Sequence, residues 1–228
     1  MAKVAVSAPK PSRLTIYDCQ STFQMVDRAR EHAGGNSDDG EFSRSVSFDY
    51  GAAEQYLNEA RVNVGLGSAE LSIAIATSDP ASEAQSRFFT ALHKKGILVE
   101  QVDFRHATPT LPLGAEYDRS DHKQPSVATQ ISYALGILTA RESPEVVIVT
   151  RCFEIYGPVL DFVSNRGGKA AIAFFRRSMD GRWAQNGLFD PDSPVAFIDL
   201  EPVSRLLLGV DLREVADRKA RKGGLAGI

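Results

Sequence analysis

Polar side chains capable of metal chemistry follow two of the apolar segments in this 228-residue chain. Asp18 ends the segment RLTIYD and Cys19 follows it, while Thr150, Cys152 and Glu154 come directly after PEVVIV. Carboxylate oxygens can hold a hard cation such as Mg²⁺, whereas a thiol is a poor ligand for that ion. These five residues are therefore the first candidates for a functional site.

Strands that alternate with helices must position these residues. Apolar runs predict strands at 13–18, 70–79, 96–104, 144–150, 169–175 and 193–200. Periodic apolar positions predict a helix after residue 18, with Ser21 or Thr22 as its cap. The same pattern predicts four further helices, at 49–63, from Asp79-Pro80 to Gly96, at 125–140 and at 155–166. This alternation predicts a three-layer α/β/α fold with a mainly parallel central sheet. Ligands of such sheets bind beyond the carboxyl ends of the strands.

One folded domain and two tails account for the chain. Pro9 and Pro11 predict a flexible tail over residues 1–12, and the domain spans 13–210. It contains a loop insertion rich in Gly, Ser and Asp at about 33–47 and an extra C-terminal strand at about 193–200, before a short helix and tail at 211–228. The apolar run LLLGV, 206–210, predicts packing inside the domain; a sheet-edge cover or a homodimer contact are the alternatives.

Composition and motifs exclude several classes of protein. The chain is 43% hydrophobic and 24% charged with a net charge of −3, which excludes a disordered chain and one that coats nucleic acid by charge alone. Two cysteines do not make a disulfide framework, and we expect a cytoplasmic protein without a signal peptide or membrane span. The motif GxxxxGK[ST] is absent, which excludes a P-loop, and the absence of GxSxG and HExxH leaves hydrolase-elbow and zincin chemistry without support.

The segment VVIVTRCFEIYGPVLDFVSNRGGKAAIAFF, 146–175, resembles the NYN family, a branch of the PIN-like nuclease fold. In that family a strand ends in a "vSGDsDF" motif, followed by a helix and by a strand that begins with "GK.V". Here VTRCFEI, YGPVLDFV and GGKAAIAFF stand at those places, LTIYDCQS stands for "iDgeN", and KQPSVATQISYAL stands for "KGvDvaLavD". The resemblance covers about residues 13–176 and implies a PIN-like (Rossmann-like) sheet and kinship with metal-dependent ribonucleases.

The resemblance also implies an acidic pocket that holds Mg²⁺ or Mn²⁺ beside a phosphodiester. Asp18 matches the first acid of this pocket and Glu154 the last, so these two are the implied catalytic and metal-ligating residues. The supporting pocket consists of neutral side chains, namely Thr150, Cys152, Ser126, Ser132 and Cys19. Because hydroxyls and thiols hold Mg²⁺ poorly, we expect a weakly bound cation and weakened or lost cleavage. In a PIN-like sheet both cysteines follow neighbouring strands, so we expect two reduced thiols at one rim of the pocket.

Three functions stay open at this point. The favoured one is nucleic-acid binding or a related interaction role with weakened or lost cleavage, and RNA as the partner. Its contacts would come from a locally basic stretch and its neighbours, with Arg151, Lys123, Arg176, Arg177 and Arg182 as candidates. The second is an active Mg²⁺- or Mn²⁺-dependent endoribonuclease that uses Asp18 and Glu154, completed by Asp79, Asp103 or Asp121. The third is a structural α/β protein that assembles into homo-oligomers.

Overall fold

Six strands and six α-helices make up the part of the chain that the computed structural model describes, which is residues 12–34, 47–78, 82–103, 124–176 and 193–214. The strands are β1 Arg13–Asp18, β2 Leu71–Ser78, β3 Leu98–Asp103, β4 Glu145–Val149, β5 Lys169–Phe174 and β6 Val195–Asp199. The helices are α1 Cys19–Gly34, α2 Tyr50–Asn63, α3 Glu83–Lys94, α4 Gln124–Arg141, α5 Phe153–Asn165 and α6 Ser204–Leu208, with a 3₁₀ turn at Glu201–Val203.

The six strands form one sheet in the order β3-β2-β1-β4-β5-β6, and every neighbouring pair is parallel. The chain therefore moves outward from β1 to β3, crosses back to β4, and continues to β6. Since parallel crossovers are right-handed, this reversal puts helices on both faces of the sheet. The predicted three-layer α/β/α class with a parallel sheet is confirmed.

Burial on both faces explains the composition of the central strands. The β-branched run of β4 is enclosed from Val146 to Val149, and the small residues of β5 are enclosed from Ala170 to Ala173. Continuous apolar runs of this kind are typical of parallel strands covered by helices on each side.

Two predicted helix starts were wrong. The helix α3 begins at Glu83, where Ser82 accepts a hydrogen bond from the backbone of Gln85, and not at Asp79-Pro80. The helix α1 begins directly at Cys19, because Asp18 takes the capping role assigned to Ser21 or Thr22. A side chain nearer to the strand satisfies the free N–H groups of the first turn of α1, and one farther from the strand does so in α3.

Most of the apolar run LLLGV packs inside the domain, as favoured, whereas its first residue, Leu206, is exposed. Leu207, Leu208 and Val210 are buried, and the carbonyl of Leu207 accepts a hydrogen bond of 2.8 Å from the backbone N–H of Asp49, which caps α2.

Of the predicted C-terminal helix, residues 212–214 form one helical turn, and residues 215–228 lie outside the described residues. The tail 1–11 and residues 35–46 of the predicted loop also lie outside them. None of the described helices is long and apolar enough to span a membrane.

A fully buried arginine joins the amino ends of the central strands. From α2, Arg61 donates to the carbonyls of Gly67 at 2.6 Å, Leu14 at 2.7 Å and Glu145 at 3.1 Å. A planar guanidinium can satisfy several carbonyls at once. It thus holds β1 beside β4 at the edge opposite to the candidate site.

Candidate functional site

The candidate site lies where the order of the sheet reverses, between the carboxyl ends of β1 and β4. Such switch points leave a crevice, because the segments that follow the two strands run to opposite faces of the sheet. Here β1 ends with Asp18 and continues into α1, while Thr150 follows β4 and leads to α5. The first turns of α1 and α5 add Ser21 and Tyr156.

The carboxylate of Asp18 is enclosed by three protein donors. Its Oδ1 accepts the backbone N–H of Ser21 at 3.0 Å, and its Oδ2 lies 2.9 Å from the Tyr156 hydroxyl and 3.3 Å from the Thr150 hydroxyl. Only 6% of Asp18 is exposed, and the other three residues are fully buried. The crevice between β1 and β4 is therefore filled by side chains of the chain itself at this point.

A second layer of hydrogen bonds ties α1 to the segment after β4. The hydroxyl of Ser21 accepts the backbone N–H of Arg151 at 2.6 Å and lies 2.9 Å from the Thr150 hydroxyl. The Thr150 oxygen in turn accepts the backbone N–H of Cys152 at 3.1 Å. We call Asp18, Ser21, Thr150, Cys152 and Tyr156 the switch-point cluster.

Burial sets the protonation of the switch-point cluster. It raises the pKa of Asp18, although the hydrogen bonds from Ser21, Tyr156 and Thr150 act in the opposite direction. Burial and the charge of Asp18 also raise the pKa of Tyr156 and of the Cys152 thiol. Tyr156 is thus a neutral phenol that donates to Asp18, and Cys152 is a thiol with little nucleophilic character at neutral pH.

Of the residues expected in the pocket, the structure brings Asp18, Thr150 and Cys152 together. Cys19 is buried on the β2 side of Asp18, where it lines a different cavity; both cysteines are free. Ser132 is half-buried on α4, and within the described part of the chain no hydrogen bond joins it to Asp18. The side chains of Glu154, Ser126 and Asp103 and the whole of Asp79 and Asp121 lie outside the described residues.

Two members of the switch-point cluster, Ser21 and Tyr156, were not among the predicted site residues. Ser21 lies three residues after Asp18. A capping aspartate and the third residue of its helix have this spacing, so the sequence could have predicted the contact. Tyr156 lies at the start of the spacing 156, 160, 163, which marks the buried stripe of α5. That stripe predicts a core position, whereas the direction of its hydroxyl depends on how α5 packs.

The described residues do not fit a hard divalent cation. Magnesium needs several oxygen ligands in a nearly octahedral arrangement, usually including carboxylates and waters. Asp18 is the single carboxylate of the switch-point cluster, both of its oxygens accept hydrogen bonds, and its other partners are neutral. Among the residues with described side chains, no group of three His, Cys, Asp or Glu could hold a metal ion.

Two of the arginines predicted to contact nucleic acid lie along the same edge of the sheet. Arg151 follows β4 and is half-buried, and Arg176 follows the neighbouring strand β5 and is exposed. Arg176 lies 3.6 Å from Asp199 and 5.7 Å from the ring centre of Phe197. The remaining candidates, Lys123, Arg177 and Arg182, lie outside the described residues.

The strand order and the position of the crevice define a doubly wound, Rossmann-like α/β protein. The chain is similar to the crystal structure of a protein of unknown function from Vibrio parahaemolyticus RIMD 2210633. The two share 13% sequence identity with a TM-score of 0.50, over 84% of this chain and 96% of that one. At this identity the likeness concerns the fold alone. The chain matches no protein-family model and no curated protein.

Proposed function

We propose that this chain is a PIN-like domain that binds RNA without cleaving it. The observation that carries the proposal is the enclosure of Asp18, whose two oxygens accept hydrogen bonds from Ser21, Thr150 and Tyr156. The resemblance to the NYN family supports the relation to ribonucleases. The hydrogen bonds that enclose Asp18 in the switch-point cluster are the reason why we propose that cleavage is lost.

Metal-assisted cleavage would need a different arrangement at Asp18. A cation that activates water must keep open coordination positions and must reach both the carboxylate and the phosphodiester. At Asp18 the cation would first have to displace the hydroxyls of Tyr156 and Thr150 from a site that is 6% exposed. The neutral hydroxyls and thiol around it would add no charge to offset the desolvation of the ion.

Arg151 and Arg176 support the binding half of the proposal. They follow neighbouring strands at one edge of the sheet, and Arg177 and Arg182 continue the same basic stretch of sequence. Lysine and arginine side chains that replace condensed counterions give nucleic-acid binding a steep salt dependence. A local basic edge is compatible with the net charge of −3, which concerns the whole chain.

A combined binding and cleavage assay on single-stranded RNA tests the proposal. We expect salt-dependent binding by fluorescence anisotropy and no turnover with Mg²⁺ or Mn²⁺. Arg151→Ala and Arg176→Ala should each weaken binding and lower the salt slope by about 1. The matched control is Arg166→Ala, because Arg166 is exposed at the end of α5, on the opposite edge of the sheet.

Two outcomes would overturn the proposal. Robust turnover that Asp18→Ala abolishes would establish the nuclease alternative, provided that circular dichroism shows Asp18→Ala and Asp18→Asn to be folded. Equal weakening by Arg166→Ala and Arg176→Ala would show that the carboxyl edge is not the binding surface. For the self-assembly alternative, the run LLLGV gives little support, because Leu207 and Leu208 are buried in the chain's own core and Leu206 alone of its leucines is exposed, at 60%.

A further inference from the structure

A cavity of about 560 Å³ lies at the carboxyl edge of the sheet, beside the switch-point cluster. Its walls are the first half of α1, the end of β2 and the first half of α3. The amide of Gln85 on α3 donates to the carbonyl of Thr77 on β2 at 2.6 Å, which holds two of these walls together. The cavity is therefore formed by fixed elements of the fold, and its volume falls within the range of small-molecule sites, roughly 300–1,000 Å³.

A partly exposed aromatic ring lines this cavity. Half of Phe23 is exposed, at 50%, and its ring centre lies 5.4 Å from that of Phe88. Phe88 is held in turn by ring contacts at 5.6 Å to Tyr50, which is buried, and at 5.7 Å to Phe89. Because neighbouring rings support Phe23, a planar group that stacks on it removes apolar surface from water at a small cost in side-chain entropy.

The first turn of α1 connects this ring to the arginines of the carboxyl edge. The hydroxyl of Ser21 accepts the backbone N–H of Arg151 at 2.6 Å, and Phe23 follows two residues later, about 5 Å away between Cα atoms in a helix. Arg176 follows β5, which pairs with β4, and paired strands lie about 4.8 Å apart. The ring and both arginines thus lie within the length of a short single strand, since such sites take ~4–16 nucleotides.

This combination is the one by which proteins bind single-stranded nucleic acids. Basic side chains contact the phosphates, and bases stack on aromatic rings. Stacking tolerates any base, because every base has a flat π-face. A base is also uncharged, so its stacking on Phe23 does not depend on the charge of Asp27, which lines the cavity as well.

We propose that Phe23 is the stacking platform for one unpaired base of a single-stranded RNA whose phosphates contact Arg151 and Arg176. The base enters the cavity beside α1 and covers the exposed face of the ring. The inference rests on the proposed function and adds to its phosphate contacts a contact with a base that is tolerant of sequence.

Fluorescence anisotropy of the full chain with three labelled RNA strands of about ten nucleotides tests the platform. The strands are oligouridylate, oligoadenylate and an abasic strand with the same phosphates. Phe23→Ala should weaken the binding of both base-bearing strands by roughly 5- to 100-fold, the range expected for one lost base–aromatic stack. It should leave the binding of the abasic strand and the salt slope unchanged, because it removes no charge.

Two conservative variants and a control separate stacking from a merely structural effect. Phe23→Tyr keeps an aromatic ring and should retain the binding of both base-bearing strands, whereas Phe23→Leu keeps only apolar bulk and should weaken it. The control Val62→Ala should change nothing, because Val62 is exposed and apolar but follows Arg61, which contacts the amino ends of β1 and β4. Because Phe23 is half exposed, its variants should fold, which circular dichroism verifies.

The outcomes distinguish this inference from the proposed function. If Phe23→Ala leaves RNA binding unchanged while Arg176→Ala weakens it, the platform is wrong and the proposed function stands. The platform is also wrong if Phe23→Ala weakens binding of the abasic strand as much as that of the base-bearing strands. If the unmodified chain binds none of the three strands, both proposals are wrong.

Discussion

Removing the Tyr156 hydroxyl tests whether Asp18 is held as a structural, ionised group. In Tyr156→Phe, the Oδ2 atom of Asp18 loses its 2.9 Å donor and keeps only the 3.3 Å contact with Thr150. A hydrogen bond to a charged acceptor contributes about 1.5–3 kcal/mol, and one between neutral groups about 0.5–1.5 kcal/mol. We therefore expect Tyr156→Phe to lower the free energy of unfolding by about 1.5–3 kcal/mol while Asp18 is ionised, and by about 0.5–1.5 kcal/mol once it is protonated.

The expected pH dependence follows from the direction of the Asp18 pKa. Burial raises this pKa above its unfolded value, so the contribution of Asp18 to stability is complete below the unfolded pKa and is lost as pH rises through the folded pKa. The Tyr156 hydrogen bond lowers the folded pKa, and its removal raises it further. The difference of about 1 kcal/mol between the two hydrogen-bond strengths corresponds to roughly one pKa unit. The cost of Tyr156→Phe should therefore grow with pH.

Urea denaturation of the unmodified chain and of Tyr156→Phe from about pH 3, below the ordinary aspartate pKa of about 3.9, up to about pH 8 measures this dependence. The matched control is Tyr56→Phe, because the hydroxyl of Tyr56 donates to the backbone carbonyl of Asp199 at 3.0 Å, which does not titrate. Its cost should not change with pH. A pH-independent cost for Tyr156→Phe as well would refute the interpretation that Tyr156 stabilises an ionised Asp18.

Three further predictions concern the core. Arg61→Met should lower the free energy of unfolding by at least about 3 kcal/mol in urea denaturation, because the buried carbonyl of Leu14 and the partly buried carbonyls of Gly67 and Glu145 lose their donor. Arg87→Ala, at an exposed ion pair, should lower it by less than about 1 kcal/mol. Gly168→Ala should lower the melting temperature, since its Cβ would lie 2.6 Å from a backbone oxygen; Gly136→Ala meets no atom within 4 Å and should stabilise α4 by about 0.5–1 kcal/mol. Burial raises the pKa of Cys19 to about 12, so thiol reagents should modify Cys19 only after denaturant unfolds the chain.

The sequence alone determined the α/β class and the parallel sheet. Each strand is a short apolar run separated from the next by a helical pattern, and this alternation leaves few topologies once crossovers are right-handed. Gly96 and Gly167, at φ +78° and +84°, end their helices where the sequence predicted. Helix starts were harder to predict, because other residues near Asp18 and Ser82 could also have capped the two helices.

Only the tertiary structure decided what surrounds Asp18. Its position after β1 follows from the strand pattern, but its partner Tyr156 is 138 residues away in sequence. Whether that hydroxyl reaches the carboxylate depends on the packing of α5 against the sheet, to within a fraction of an ångström. The same holds for Cys19, which the order of strands predicted to share one rim with Cys152 and which the packing turned toward a different cavity. Periodicity specifies the face on which a side chain lies, whereas the distances that make a site depend on how the elements pack in three dimensions.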